Sequence, residues 1–448
     1  MSSNLVYLPV EVSRRELISR AFLSCRLAVG GHDVLVFASD LFDRFGWPGP
    51  GIYIGKNVFR SYVPHDLRFY HAMKKAGIDV WYHDEEAGFF PGEGPEQWQE
   101  HLGRRSDVSV LGETDKVLAW GRYQHDYYKR KSVAAKVHIV GSVNFEVYRP
   151  EYAPLFGEYD REQTQCEEDY ILFNTRFGAV NFYYTGKGHP INGPLFTSFV
   201  PDLERFDTLS QEGVLLYHFV GLIAEIALRH PEERIVVRPH PVENPVFYRQ
   251  AFEMLSNVLV ADKGDAGSWI RRSRCLVQNG CTTAIQANIA RKTVITFVPH
   301  DSRLDRATPP LLNDIGAVVA TREEVIQAIL NPDVDQTTGR WPVAISSLHT
   351  IDAIEALVSE RGNGSGVDED QLRSIAWRSA VDFRARRLAY PFFPPKLAEV
   401  RMQERFFDRS FFNRFSELVS IANKRWTAPI NVERVAPECW RVRPQPRA

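Results

Sequence analysis

The run VRPHPVEN, residues 237–244, sets Arg238 and His240 around Pro239, directly behind the apolar triplet Ile235, Val236 and Val237. Two nitrogen-bearing side chains at the end of a strand, held stiff by Pro239 and Pro241, suit an anion. A lone histidine there is more often a structural hydrogen-bond donor, so its neighbours decide the reading. About forty residues on, QNGCTTAIQANIARK (278–292) places Asn279 and Gly280 where a strand gives way to a helix opening at Thr282 and Thr283. Glycine permits the tight turn, the first N–H groups of the helix lack partners, and the threonine hydroxyls add donors. Phosphate oxygens fit such a site. A plain threonine cap would read the same way in isolation. Taken together, Arg238, His240, Asn279, Gly280, Thr282 and Thr283 form a candidate nucleotide-phosphate site.

Carboxylates supply the complementary chemistry. Asp84, Glu85 and Glu86 follow a strand in HDEEAG (83–88). Crowded carboxylates repel one another, which raises the pKa of at least one and equips it as a base or nucleophile. Glu11, with Arg15 and Glu16, lies between the first strand and helix in PVEVSRREL (9–17). Helix capping or an ion pair is the plainer role for that cluster, and a solvated surface loop is the plainer account of the first.

The elements that position these residues alternate in type. LVYLPV (5–10) and DVLVFA (33–38) read as strands around a helical stretch in which Leu17, Ala21, Phe22, Cys25 and Val29 recur at helical spacing, stopping at Gly30 and Gly31. GIYIG (51–55), DVWYHDEEAG (79–88), KVLAWG (116–121) and KVHIVGS (136–142) continue the series. After a polar stretch at 149–170, read as an interdomain linker, the alternation restarts with YILFNT and runs through RIVVRPHP, NVLVAD, CLVQNG and TVITFVP. The chain is therefore predicted to be α/β, with two Rossmann-like domains at 1–150 and 168–335 facing a cleft. SERGNGSGVDED (359–370) reads as an exposed loop, and 366–448 as a helical C-terminal extension whose Phe406, Phe407, Phe411, Phe412 and Phe415 pack into a core or against a membrane-associated partner.

Composition narrows the class. At 448 residues the chain exceeds one hydrophobic core, and 44% hydrophobic with 25% charged residues is the balance of a globular protein. A formal net charge of −2 gives no global field for nucleic acid or an anionic membrane, so any anion must be bound locally. Five scattered cysteines without a C-x-x-C pair suggest neither a disulfide frame nor a zinc site. The N-terminus lacks the pattern of a secretion signal, and no apolar run reads as long enough to cross a bilayer. A reduced cytoplasm is the expected compartment.

In this order, LPVEVSRREL, DEEAG, ILFNTRFGAVN, VRPHPVEN and SRCLVQNGCTTAIQANIARKTVITF resemble the bacterial surface carbohydrate biosynthesis proteins. That group is similar to the GT-B glycosyltransferases that transfer 3-deoxy-manno-octulosonic acid (Kdo) from its CMP ester, and to sialyltransferases that share their His-Pro and Ser/Thr motifs. The resemblance spans residues 5 to about 300. It implies that His240 and Pro241 are the His-Pro motif on the nucleotide phosphate, that Thr282 and Thr283 fill the Ser/Thr motif, and that DEEAG supplies the acceptor-side carboxylate. Two departures stand out: Ala87 intervenes before Gly88, and VGSVNFEVYRPEY replaces the expected Gly-Asn-Pro turn, which bears on the hinge. The expected activity is transfer of Kdo or a related acidic sugar from a CMP-sugar donor to a glycan or glycolipid acceptor, without metal or cofactor and with retention of configuration. The expected place is the cytoplasm, with peripheral association at the inner membrane face or in an assembly complex as a further expectation, and no nucleic-acid partner is expected. A CDP-polyol phosphotransferase, a UDP-sugar enzyme of the same fold and a non-catalytic glycan-binding protein are the alternatives.

Overall fold

Apolar runs of four to six residues flanked by helices bury both faces in sheets that those helices cover, and two sheets built around parallel strands form. The computed structural model describes residues 3–56, 58, 67–84, 95–178, 180–181, 203–299, 310–331, 335–362, 364, 366–389 and 407–445. Two compact units divide the chain: Met1–Gly88, Gln99–Val147 and Val343–Ala448 form the first, Phe89–Trp98 and Tyr148–Pro342 the second.

In the first unit, β1 (Leu5–Val10), β2 (Asp33–Ala38), β3 (Gly51–Gly55), β4 (Ile78–Tyr82), β5 (Lys116–Ala119) and β6 (Lys136–Ile139) are parallel in the order 2-1-3-4-5-6. The first three coincide with the runs that the sequence marks as strands. Every residue of β1 is buried, as a central strand covered on both faces requires. Strand order reverses between β1 and β3, which is where ligands of open α/β sheets sit, beyond the carboxyl ends.

The second unit carries β7 (Tyr170–Asn174), β8 (Ile235–Arg238), β9 (Val258–Val260), β10 (Ser273–Gln278), β11 (Thr293–Phe297) and β12 (Ala317–Val319). Their order is 12-11-10-7-8-9, all parallel. This is the doubly wound order of dinucleotide-binding sheets, with its switch point between β7 and β10. The α/β class and the two Rossmann-like sheets are those expected.

Three expectations are corrected. The stretch 149–170 is not a free linker: Pro150–Phe156 is a 3₁₀ helix and Gly157–Thr164 an α-helix. One of its charges is structural. Buried Asp160 accepts two hydrogen bonds at 2.7 Å from the Arg271 guanidinium and one at 2.8 Å from Ser268, and Arg271 lies 3.8 Å over the Phe156 ring. The C-terminal segment is not helical throughout, because β13 (Ile430–Ala436) and β14 (Cys439–Pro444) form a hairpin. Alternation in INVERVAPECWRVRP favours strand, and β14 pairs antiparallel with β2, covering what would be an open edge. Finally, Leu209–Arg229 is long and apolar enough, by length and composition alone, to cross a membrane. Within it Leu215, Phe219, Leu222, Ile223 and Ile226 join the core over the second sheet, which is why the helix is so apolar.

The C-terminal aromatics are core. Phe411, Phe412 and Phe415 are buried, with Phe407 4.9 Å from Phe412 and Phe415 6.0 Å from Trp440, centroid to centroid; Phe406 lies outside the described residues.

Candidate functional site

Both anion-binding motifs leave the same edge of the second sheet. Arg238 ends β8 and Gln278 ends β10, and β7 lies hydrogen-bonded between them. Two strand spacings put these ends roughly 10 Å apart, close enough for one nucleotide to touch both. Gly280 adopts φ 66°, the left-handed conformation that glycine reaches without strain, so the tight turn read from the sequence is present. The helix after it, Thr283–Ile289, is only seven residues, and Thr282 makes no side-chain cap. Thr282 is exposed, whereas Thr283 is buried and its hydroxyl donates to Cys281 Sγ at 3.0 Å. With so short a helix the positive potential rests on Arg238 and His240 more than on aligned peptide dipoles. Asn279 is buried and its Oδ1 has no hydrogen-bond partner among the described residues.

His240 is exposed, and its ring is oriented by its own turn. The Val242 N–H donates to His240 Nδ1 at 3.3 Å, so in the neutral ring the proton sits on Nε2. Beneath the turn lies Glu243, fully buried. It accepts hydrogen bonds from the His240 N–H at 3.0 Å, the Thr175 hydroxyl at 2.8 Å and the Tyr248 hydroxyl. Burial pushes its carboxyl up to about 7, a rise that these donors oppose and Glu212 reinforces. Thr175 follows β7, and Asn181, six residues on, exchanges hydrogen bonds with Asn244 at 3.0 and 3.1 Å. Two separate motifs, FNTRFGAVN and HPVEN, are thereby one hydrogen-bonded unit.

The carboxylates of the first unit are placed differently. Glu11 is exposed and pairs with Lys56 Nζ at 2.9 Å, across the switch point from the end of β1 to the end of β3. Lys56 also lies 3.6 Å from buried Glu16. Burial pushes the Glu16 carboxyl up, but Lys56, Arg15, Arg20 and the Glu11 N–H outweigh it and leave it below the usual range. Glu16 caps its helix from within, accepting the N–H groups of Glu11 at 2.7 Å and Val12 at 3.2 Å. Asp84 is buried in a two-bond ion pair with Arg105, at 2.9 and 3.2 Å, and accepts from Tyr82 at 3.2 Å. Glu85 and Glu86 lie outside the described residues. Among the described residues no three His, Cys, Asp or Glu side chains gather as a metal site.

No family model matches the chain, and no curated protein matches it in sequence. Solved structures do resemble it. UDP-GlcNAc 2-epimerase from Methanocaldococcus jannaschii, in complex with UDP-GlcNAc and UDP, aligns with TM-score 0.43 at 13% identity over 80% of this chain and 99% of that one. The Neisseria meningitidis UDP-GlcNAc 2-epimerase bound to UDP-GlcNAc gives 0.45 at 11%, over 79% and 99%. The wall teichoic acid polymerase TagF gives 0.45 at 9%, over 80% and 89%. At so low a TM-score and identity these likenesses carry no argument about what the chain does.

Sequence reasoning missed Asn174, Glu243 and His83. Glu243 sits inside a quoted motif, yet nothing local distinguishes a buried glutamate from a turn residue. Asn174 ends an apolar run, YILF, where an amide departs from the pattern; that departure was the available signal. His83 is buried at the end of β4, its Nδ1 2.9 Å from the Leu118 carbonyl and its Nε2 without a partner among the described residues.

Proposed function

We propose that this chain is a nucleotide-sugar-dependent glycosyltransferase of surface-polysaccharide biosynthesis, using a CMP-activated acidic sugar such as Kdo and a glycan or glycolipid acceptor. The observation that carries the reading is the departure of Arg238–His240 and Asn279–Thr283 from one sheet edge, on either side of the strand at the switch point. Arg238 supplies permanent charge, and His240 Nε2–H supplies a fixed donor. Both oppose the negative charge that grows on the phosphate as the glycosidic bond breaks, and donors fixed beforehand stabilise that charge without reorganisation. Glu11, Asp84, Glu85 and Glu86 remain the proposed acceptor-side carboxylates. Of these, Asp84 would have to leave Arg105 to take a proton, whereas exposed Glu11 needs only to part from Lys56.

A thermal-shift panel of CMP, CDP and UDP against wild type and His240→Ala tests this, since a ligand bound only by the folded form raises Tm. CMP should shift the wild type most, and the variant should lose the shift with its unliganded Tm unchanged. A larger shift with CDP or UDP would replace the CMP-sugar donor with a CDP-polyol or UDP-sugar. No shift with any of the three would overturn the nucleotide site, and glycan binding without turnover would then favour a binding protein.

A further inference from the structure

Register across the second sheet builds one row of side chains at its carboxyl edge. Arg238 on β8 stands opposite Asn174 on β7; Phe173 opposite Val277 brings Asn174 beside Gln278 on β10; and Gln278 stands opposite Thr296 on β11. Residues in register share a face of the sheet about 5 Å apart. All four are polar. Gln278 donates to Thr296 Oγ1 at 2.7 Å and the Leu312 carbonyl at 3.0 Å, and accepts from the Cys281 N–H at 2.8 Å. Thr296 donates to the Ile315 carbonyl at 2.6 Å, and Arg238 to the Gly264 carbonyl at 3.3 Å.

Asn174 breaks the pattern. It is 2% exposed, and neither its Nδ2 nor its Oδ1 meets a partner among the described residues. A buried amide without partners destabilises a fold, and an apolar residue continuing YILF would carry no such penalty. This orphan sits on the central strand at the switch point, with Arg238 at one side and Asn279, whose Oδ1 is also unpartnered, beyond β10.

We propose that Asn174 binds the ligand of this edge, its amide taking a ring hydroxyl next to the phosphate held beside Arg238. The inference rests on the nucleotide reading above and deepens it. A hydroxyl both accepts and donates, matching Nδ2–H and Oδ1 together. A phosphate oxygen only accepts, and would set negative charge against Oδ1. An apolar ring edge satisfies neither atom. The hydroxyl belongs either to the ribose of the nucleotide or to the transferred sugar.

Calorimetric titration of wild type, Asn174→Ala and Asn174→Asp with CMP, 2′,3′-dideoxy-CMP and CMP-N-acetylneuraminic acid separates these sources. Because the Asn174 side chain has no hydrogen-bond partner among the described residues, Asn174→Ala should fold with Tm at or above that of the wild type, whereas Asn174→Asp buries a carboxylate and should lower it. If the ribose is read, Asn174→Ala weakens CMP about tenfold, and dideoxy-CMP binds wild type and variant alike. If the sugar is read, CMP is unaffected and the CMP-sugar loses about tenfold. Asn174→Asp, placing a carboxylate beside the phosphate, weakens all three. Wild-type affinity of Asn174→Ala for both CMP and the CMP-sugar would overturn the inference while leaving the phosphate site standing, provided His240→Ala loses CMP. A wild type that binds none of the three ligands overturns both.

Discussion

Glu243 makes the stability of this protein depend on pH in a calculable way. In the unfolded chain its carboxyl titrates at 4.5, and in the folded protein burial raises it to about 7. Each pKa unit corresponds to about 1.4 kcal/mol of difference between protonation states, so ionising Glu243 in place costs about 3 kcal/mol. The direction follows from proton counting: between these values the folded state holds the proton and the unfolded state has lost it. The contribution is therefore whole below pH 4.5 and is lost as pH rises to about 7. Glu243→Gln preserves the shape, cannot ionise, and removes this dependence. Urea unfolding of both proteins at intervals from pH 5 to pH 8 measures it, because other titrating groups cancel in the difference. The wild type should lose up to about 3 kcal/mol relative to Glu243→Gln across that range. A difference that stays constant with pH would refute the reasoning and show that Glu243 ionises freely despite its burial.

Other outcomes follow from the same structure. Buried His83, which burial holds at about 4, should stay neutral in NMR titration from pH 8 to pH 5; its depressed pKa contributes stability that is present above 6.5 and lost as pH falls toward 4, and His83→Gln should flatten that loss. Arg441→Ala should destabilise the first unit by about 3 kcal/mol in denaturant unfolding, since Asp33, which accepts from Arg441 Nε at 2.9 Å, would be left without its guanidinium and the hairpin without its tie to β2. Gly280→Ala should cost about 1 kcal/mol through its left-handed φ of 66° and weaken CMP binding in the thermal-shift assay; unchanged binding would detach that turn from the site.

Much of the fold was legible because parallel strands buried on both faces are written as unbroken apolar runs. β1, β2 and β3 are such runs, and Gly280 at the end of one announced its turn. The hairpin was harder to read: its short alternation runs among charges such as Glu433 and Arg441, and docking on β2 gives Arg441 its partner Asp33. The stretch around Asp160 failed for the same reason, since charges that signal a linker in one dimension can be buried pairs in three. Helix length was equally obscure in TTAIQANIARK, whose helix stops at Ile289, and this moves the anion-binding role onto side chains.

For the site, the sequence by itself determined which residue types stand at the ends of which strands: the cation and imidazole after one, the glycine turn and threonines after another. Only the tertiary structure decided that these strands flank β7, that Thr175 and Glu243 tie the imidazole's turn to it, and that Asn174 lies buried between them without a hydrogen-bond partner among the described residues. Strand order and side-chain satisfaction arise from pairings between residues tens of positions apart, and local sequence carries no record of its distant partner.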